Sequence, residues 1–340
     1  SVSNSATAPA ASLTINTNDV DFGFVASSTS GVKTITLTGN DLTDDISLNA
    51  TGNFLISKTN GNFTNSISFT QAEANNIPST VYVQFNPIAT SISYNGTITI
   101  STAGVSNLLV GLKGNSIDPA TTLEVVNWNV EWFGSTTLGP SNDNLQETNI
   151  KTIVRNIDAD LFGFVEVVDE ARLQSVVADL NSIHGAGAYA YVISNYGSHT
   201  NPFDTSASPL SEAQKEAFVY KTSVISPIGT PGPIVTDGVN TAADFNNPAY
   251  NYFSSGRYPF MMNATVTLGA VSKTVRFILI HAKANTSPTT TSYNRRKAGS
   301  DSLHYTLNNL YPNDNIVLLG DFNDDLDQSI TAGFTTTSYS

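Results

Sequence analysis

The sequence predicts two domains of different architecture: an all-β sandwich over residues 12–118 and a layered α/β domain over residues 119–340, after a short linker at residues 1–11. Two observations carry this reading. The chain has 340 residues, beyond the usual span of a single domain. Its hydrophobic grammar changes near Asp118-Pro-Ala120, from runs of period two to strands that alternate with helical periods.

In the first region, Val32-Lys-Thr-Ile-Thr-Leu-Thr38 and Val81-Tyr-Val-Gln-Phe85 alternate apolar and polar residues, as half-buried strands do. Thr97-Ile-Thr-Ile100 and Leu108-Leu-Val-Gly-Leu112 add two more. Turns such as Thr38-Gly-Asn-Asp41, Asn60-Gly-Asn62 and Asn95-Gly96 separate them. Two packed antiparallel sheets bury such strands on one face each. The run Val81-Tyr-Val-Gln-Phe-Asn-Pro87, Ser93-Tyr-Asn-Gly-Thr-Ile-Thr-Ile100 and Val110-Gly-Leu-Lys-Gly114 resembles bacterial immunoglobulin-like modules of the choice-of-anchor type. The resemblance implies either a spacer or a module that contacts a cell surface, a glycan or another partner.

In the second region, Leu123-Glu-Val-Val-Asn-Trp-Asn-Val130 reads as a strand. A helix follows over about 144–157, with Ile150, Ile153, Val154 and Ile157 at helical spacing. Leu161-Phe-Gly-Phe-Val-Glu-Val167 is the next strand. Asp169 caps a helix carrying Leu173, Val176, Val177 and Leu180. Later strands are expected at 217–220, 260–268, 275–282 and 316–319, with a helix from about Ser292 to Leu310 before the last. Such alternation predicts layers of sheet and helix.

Composition narrows the function. The chain has no cysteine, which removes disulfides, thiolate metal sites and a thiol nucleophile. No apolar run reaches the ~20 residues of a membrane span. The net charge of -13, with no block of Lys and Arg, argues against a nonspecific phosphate-tracking surface. A polyanionic substrate then needs a local field from a metal and a few cations. Only 13% of residues are charged, and Ser, Thr and Asn fill the remaining polar positions. This pattern, with the linker-like start Ser1–Ser12, leads to an expected extracellular or cell-surface location in a bacterium.

The chemistry gathers at strand ends. The first α/β strand closes on Asn127-Trp-Asn129-Val-Glu131, and the second carries Glu166 in an apolar run. Phe277-Ile-Leu-Ile-His281 ends on histidine. Asn315-Ile-Val-Leu-Leu-Gly-Asp-Phe-Asn-Asp324 ends in oxygen donors, the kind a hard divalent cation prefers. Each end alone is also explained by turn chemistry or an exposed edge.

Asn127-Trp-Asn-Val-Glu-Trp-Phe133, Asp160-Leu-Phe-Gly-Phe-Val-Glu166, Ile280-His-Ala-Lys283 and Gly320-Asp-Phe-Asn-Asp324 together resemble the endonuclease/exonuclease/phosphatase superfamily, in its order and at comparable spacing. Arg257-Tyr-Pro259 resembles its Arg-containing segment. The resemblance implies a four-layered α/β sandwich with the site at one end of two packed sheets. It implies Mg²⁺ or Mn²⁺, with Ca²⁺ as a further candidate, held by Glu166 with Glu131 nearby. Asn129 would orient a phosphate or a water, Asp321 the attacking water, and Asn323 the phosphoryl group. His281 would donate to a phosphate oxygen or aid the leaving group, and Arg257 would stabilise the pentacoordinate charge.

In the superfamily a further strand with a Ser-Asp-His or similar element follows. Here Ser340 comes shortly after Gly320-Asp-Phe-Asn323, and His184, His199 and His304 all precede that motif. The expectation is a catalytic domain truncated at its C-terminus, shown as part of a longer protein. The function that follows is a secreted, metal-dependent phosphodiesterase, a nuclease acting on DNA or RNA. Two alternatives stay open: a phosphatase or phospholipid or inositol-phosphate hydrolase with the same site, and a non-catalytic surface-binding protein. The loops 194–215 and 226–255 would set the substrate, and Tyr250, Tyr252 and Phe253 would either stack on bases or pack under their loop.

Overall fold

A computed structural model describes residues 10–27, 30–90, 92–198, 210–236 and 248–340. Most of the expected linker, His199, and parts of both expected substrate loops lie outside these residues. The chain divides into two compact units, Ser1–Thr122 and Leu123–Ser340.

The first unit holds β1 (Ser12–Ile15), β2 (Asp19–Ala26), β3 (Gly31–Asn40), β4 (Ile46–Ala50), β5 (Phe54–Ser57), β6 (Ser66–Phe69), a single helical turn α1 (Gln71–Ala74), β7 (Ser79–Phe85), β8 (Ser93–Thr102) and β9 (Val105–Ile117). They form one sheet in the order β1-β3-β7-β5 and another in the order β2-β9-β8-β4-β6. All pairings are antiparallel except β2 beside β9. In β7 every second residue from Ser79 is buried, which is the period the sequence announces. Phe22, Phe54 and Phe85 meet at the centre with ring centroids 5.0 to 5.7 Å apart. Each such burial contributes roughly 1.5–3 kcal/mol of transfer free energy.

The second unit holds β10 (Val125–Phe133), α2 (Asp143–Ile157), β11 (Leu161–Val167), α3 (Glu170–His184), β12 (Tyr189–Ile193), β13 (Lys215–Lys221), β14 (Ile225–Pro227), β15 (Gly232–Pro233), α4 (Pro248–Tyr252), β16 (Phe260–Leu268), β17 (Val271–His281), α5 (Thr289–Leu310) and β18 (Asn315–Asp321). One sheet has the order β10-β11-β13-β12, the other β14-β16-β17-β18 with β15 beside β16. The two sheets face each other through Leu161, Val165, Phe218, Phe260, Phe277 and Leu279. Helices α2 and α3 cover the first sheet through Ile150, Val154, Leu173 and Val176. Helix α5 covers the second through Leu303, against Ile278 and Ile280. The result is four layers, helix-sheet-sheet-helix.

Local chemistry sets the helix ends. Asn142 Oδ1 accepts from Leu145 N at 3.0 Å, and Asp169 Oδ1 accepts from Ala171 N at 2.8 Å, so both caps satisfy donors the helices leave open. The Asp169 cap is the one the sequence predicts. The short strands β12, β14 and β15 and the turn α4 carry too little periodicity to be read in advance. Strand β10 runs to Phe133, beyond the expected end at Val130, because a bulge between Asn129 and Phe133 lets pairing with β11 resume at Val167.

Candidate active site

Two bulges aim the first acids. In β11, Phe162, Phe164 and Val167 face the helices while Leu161 and Val165 face the second sheet. Glu166 falls between them at φ 69°, so it drops out of the strand alternation and turns to the strand ends. In β10, Glu131 and Trp132 both have positive φ, 48° and 51°. Gln146 of α2 braces that bulge, its Nε2 donating to Val130 O at 2.7 Å and Glu131 O at 2.8 Å. Trp132 N then donates to Glu166 Oε2 at 3.1 Å.

The second sheet supplies the rest. Strands β17 and β18 run parallel with His281 beside Asp321 in register. Gly320 has φ +143°, and a Cβ there would sit 1.9 Å from Ile280 O, so only glycine lets β18 approach β17 at this point. Asn127 Nδ2 donates to Gly320 O at 2.8 Å, and Asn129 Nδ2 donates to Glu166 Oε1 at 2.8 Å and Asp321 Oδ2 at 2.9 Å. One amide thus gathers two carboxylates from two sheets. Asn323, at φ 50°, donates its N to Asp321 Oδ1 at 3.0 Å and its Nδ2 to Ala282 O at 3.1 Å.

His281 lies inward of this pair, 4% exposed, with Nε2 3.5 Å from Glu166 Oε1 and 3.9 Å from Asp321 Oδ2. Burial, reinforced by the Arg257 charge, holds its pKa well below the ordinary histidine value, so the imidazole is neutral. Arg257 is buried, with Nη1 donating to Gln214 Oε1 and Nη2 to Ser254 Oγ at 2.6 Å and Ala282 O at 3.1 Å. Burial lowers its pKa to about 10, against the raising effect of Glu216, Glu166 and Asp321, and it stays charged.

The structure therefore brings Asn129, Glu166, Arg257, His281, Asp321 and Asn323 together and leaves Glu131 out. The bulge turns the Glu131 side chain to solvent, beside a separate hollow shared with Asn142 and Gln146. Asp324, which the sequence offers as another oxygen donor, is diverted as well. Its side chain is fully buried, bonded to Ser338 and Ile330 N and 3.5 Å from Arg296. Sequence reasoning missed Gln214 and Glu216 of the β13 region. Glu216 is fully buried, both carboxylate oxygens lack hydrogen-bond partners among the described residues, and burial pushes its carboxyl up to about 8. Its position at the head of an apolar strand was the available signal. Tyr250 and Phe253 pack into the protein, buried.

Residues 126–340 match the sequence pattern of the Endonuclease/Exonuclease/phosphatase family. The chain belongs to this family. No curated protein matches it in sequence. Among solved structures it is similar to the human Nocturnin catalytic domain with bound sulfate, at 14% identity over 60% of this chain and 65% of that one, with a TM-score of 0.40. It is similar to a family protein from Bacteroides thetaiotaomicron at 14% identity over 64% of this chain and 65% of that one, with a TM-score of 0.39. It is also similar to TDP2 from Caenorhabditis elegans at 14% identity over 60% of this chain and 48% of that one, with a TM-score of 0.33. The family acts on phosphoesters and generally depends on a divalent metal.

The donor set suits such an ion. One ligand atom each from Glu166, His281 and Asp321 lies within 4.8 Å of the others, and two of the three are carboxylate oxygens. Two carboxylates drawn to one amide repel each other, and a divalent cation would relieve that repulsion.

Proposed function

We propose that this protein hydrolyses phosphodiesters, with nucleic acid as the substrate and Mg²⁺ or Mn²⁺ held by Glu166. The observation that supports this most is the single Asn129 amide bonded to both carboxylates, beside a neutral His281. A bound cation would polarise a phosphoryl oxygen and steady the leaving oxygen. Asp321 orients the attacking water and accepts its proton. Asn129 positions the acids, since its donors are already engaged by them. His281, neutral and buried, donates a hydrogen bond to a phosphoryl oxygen without adding charge. Arg257 lies behind the site, and its fixed field favours the extra negative charge of the pentacoordinate state.

Supercoiled plasmid incubated with the protein and Mg²⁺ or Mn²⁺ tests this. Nicking that EDTA and Glu166→Gln both remove is the expected result. Nicking that survives Glu166→Gln, or its absence with every divalent ion, overturns the reading.

A further inference from the structure

The cavity of about 470 Å³ that Glu166 and Asp321 line is also lined by Lys283 and Arg295. Most lysines and arginines here sit against acids, as Lys151 does on Glu147 and Arg276 on Asp314. Lys283 and Arg295 do not: among the described residues neither has a carboxylate within 4.0 Å. Lys283 Nζ donates to Thr286 Oγ1 at 2.7 Å and Ala284 O at 3.3 Å. Arg295 donates Nε to Asn251 O at 2.5 Å and Nη2 to Ser255 Oγ at 3.1 Å. Both side chains are half-buried, and the described residues that hold them are neutral groups that fix position.

In a chain of net charge -13, half-burying two cations beside a third, Arg257, is unfavourable unless an anion meets them. The backbone beside Arg295 is strained too. Ser254 and Ser255 have φ 56° and 66°, and Ser255 Oγ is the group that holds Arg295. The reacting phosphate belongs on the carboxylate flank, with the cation. Lys283 and Arg295, in the same cavity, are therefore left for a different anion on the same substrate.

We infer that Lys283 and Arg295 form a second phosphate subsite beside the reacting phosphate, so that the substrate class is one with phosphates in series, a polynucleotide. The inference rests on the phosphodiesterase reading for the position of the first phosphate. A bidentate guanidinium and a point-charge ammonium together suit a phosphate oxygen pair.

The 340-residue chain carrying Glu166→Gln, in Mg²⁺, is titrated against a fluorescein-labelled single-stranded 12-mer by anisotropy at several salt concentrations. Adding Lys283→Gln or Arg295→Gln should raise Kd about tenfold at low salt. Each should also lower the slope of log affinity against log salt by about 0.7, the value for one phosphate contact on a single strand. Unchanged Kd and slope overturn the subsite. In the otherwise native chain with Mn²⁺, the same substitutions should reduce kcat/KM on the 12-mer at least fivefold more than on bis(p-nitrophenyl) phosphate. Equal losses would place both residues at the reacting phosphate and overturn the inference. Inositol bisphosphate displacing the labelled DNA at lower concentration than unlabelled 12-mer would overturn the polynucleotide assignment. If the native chain hydrolyses neither ester, the phosphodiesterase reading fails, while the anisotropy still decides whether these residues bind phosphate. Circular dichroism confirms that each variant is folded.

Discussion

Asn129 on β10 donates a hydrogen bond to Asp321 on β18 at 2.9 Å, joining residues 192 positions apart across the two sheets. The same amide holds Glu166, so the spacing of the acids depends on one side chain. Asn129→Ala should leave two half-buried acceptors short of a donor, at about 1–3 kcal/mol. It should also loosen the acid pair, lowering phosphodiesterase kcat by roughly 10–100-fold, in the range of a lost preorganised contact. Asn129→Asp should be worse, because a third carboxylate replaces the donor. Urea unfolding and plasmid nicking check both; equal activity in Asn129→Asp and the native chain would refute the positioning role.

Glu166 and Asp321 carry like charge, beside the neutral His281, and among the described residues no Lys or Arg lies within 4.0 Å of either. Removing one charge should therefore stabilise the metal-free protein slightly and abolish its response to metal. For the native chain, Mn²⁺ at a hundred times its Kd should add about 2.7 kcal/mol. Glu166→Gln should melt at or above the native temperature in EDTA and show little upward shift with Mn²⁺. Scanning calorimetry with and without the ion measures both, and an undiminished shift in the variant would place the metal elsewhere.

Gly320 offers a steric test of the strand crossing. A Cβ would meet Ile280 O at 1.9 Å with φ at +143°, and the obstacle is backbone. Gly320→Ala should cost about 3 kcal/mol or more, beyond ordinary overpacking. Gly232→Ala, where nothing lies within 4 Å, should be close to neutral. Comparable melting temperatures for the two variants would show that β18 can move away from β17 without loss.

The strands that reach this site were legible because their apolar runs are long and end abruptly in polar residues. Leu161–Val167 and Asn315–Asp321 both state the fold and offer the acid. What was not legible is direction. A one-residue bulge in β11 turns Glu166 into the site and a two-residue bulge in β10 turns Glu131 away, and bulges have no reliable sequence mark. Lys283 stands in the Ile280-His-Ala-Lys283 motif and Arg295 in no motif, and only the fold puts both on one cavity. Glu216 lies just before the strand expected at 217–220, and only the fold buries it.

That burial gives stability a pH dependence. The Glu216 carboxyl is pushed up to about 8 by desolvation, whereas an unfolded glutamate titrates near 4.3. Between those values the folded chain keeps a proton that the unfolded chain releases. Its contribution is therefore fully present below about pH 4.3 and lost as pH rises to about 8, at up to ~1.4 kcal/mol per pH unit. Glu216→Gln should remove this slope and gain relative to the native protein with rising pH. Urea denaturation at pH 5, 6.5 and 8 reads the difference, and parallel profiles would mean that Glu216 ionises freely in the fold.

Asp324 shows how a residue beside the site can serve the scaffold alone. Its carboxylate accepts from Ser338 Oγ at 2.6 Å, Ser338 N at 3.1 Å and Ile330 N at 2.8 Å, so it pins residues 330–338 behind β18. Arg296 Nη2 stands 3.5 Å away, with both side chains fully buried, and also donates to Thr331 Oγ1 at 2.8 Å, while Arg296 Nη1 donates to Lys283 O at 3.0 Å. Deleting one partner strands the other charge in the interior. Asp324→Ala should therefore cost about 3–5 kcal/mol. The double variant Asp324→Ala with Arg296→Met, which removes both charges, should recover part of that loss. A double variant less stable than the sum of the single effects would show that the pair is held by packing and neutral hydrogen bonds, with the charges secondary. Metal affinity should follow stability only in the single variant. Asp324 touches neither Glu166 nor Asp321, so any refolded double variant should still bind Mn²⁺.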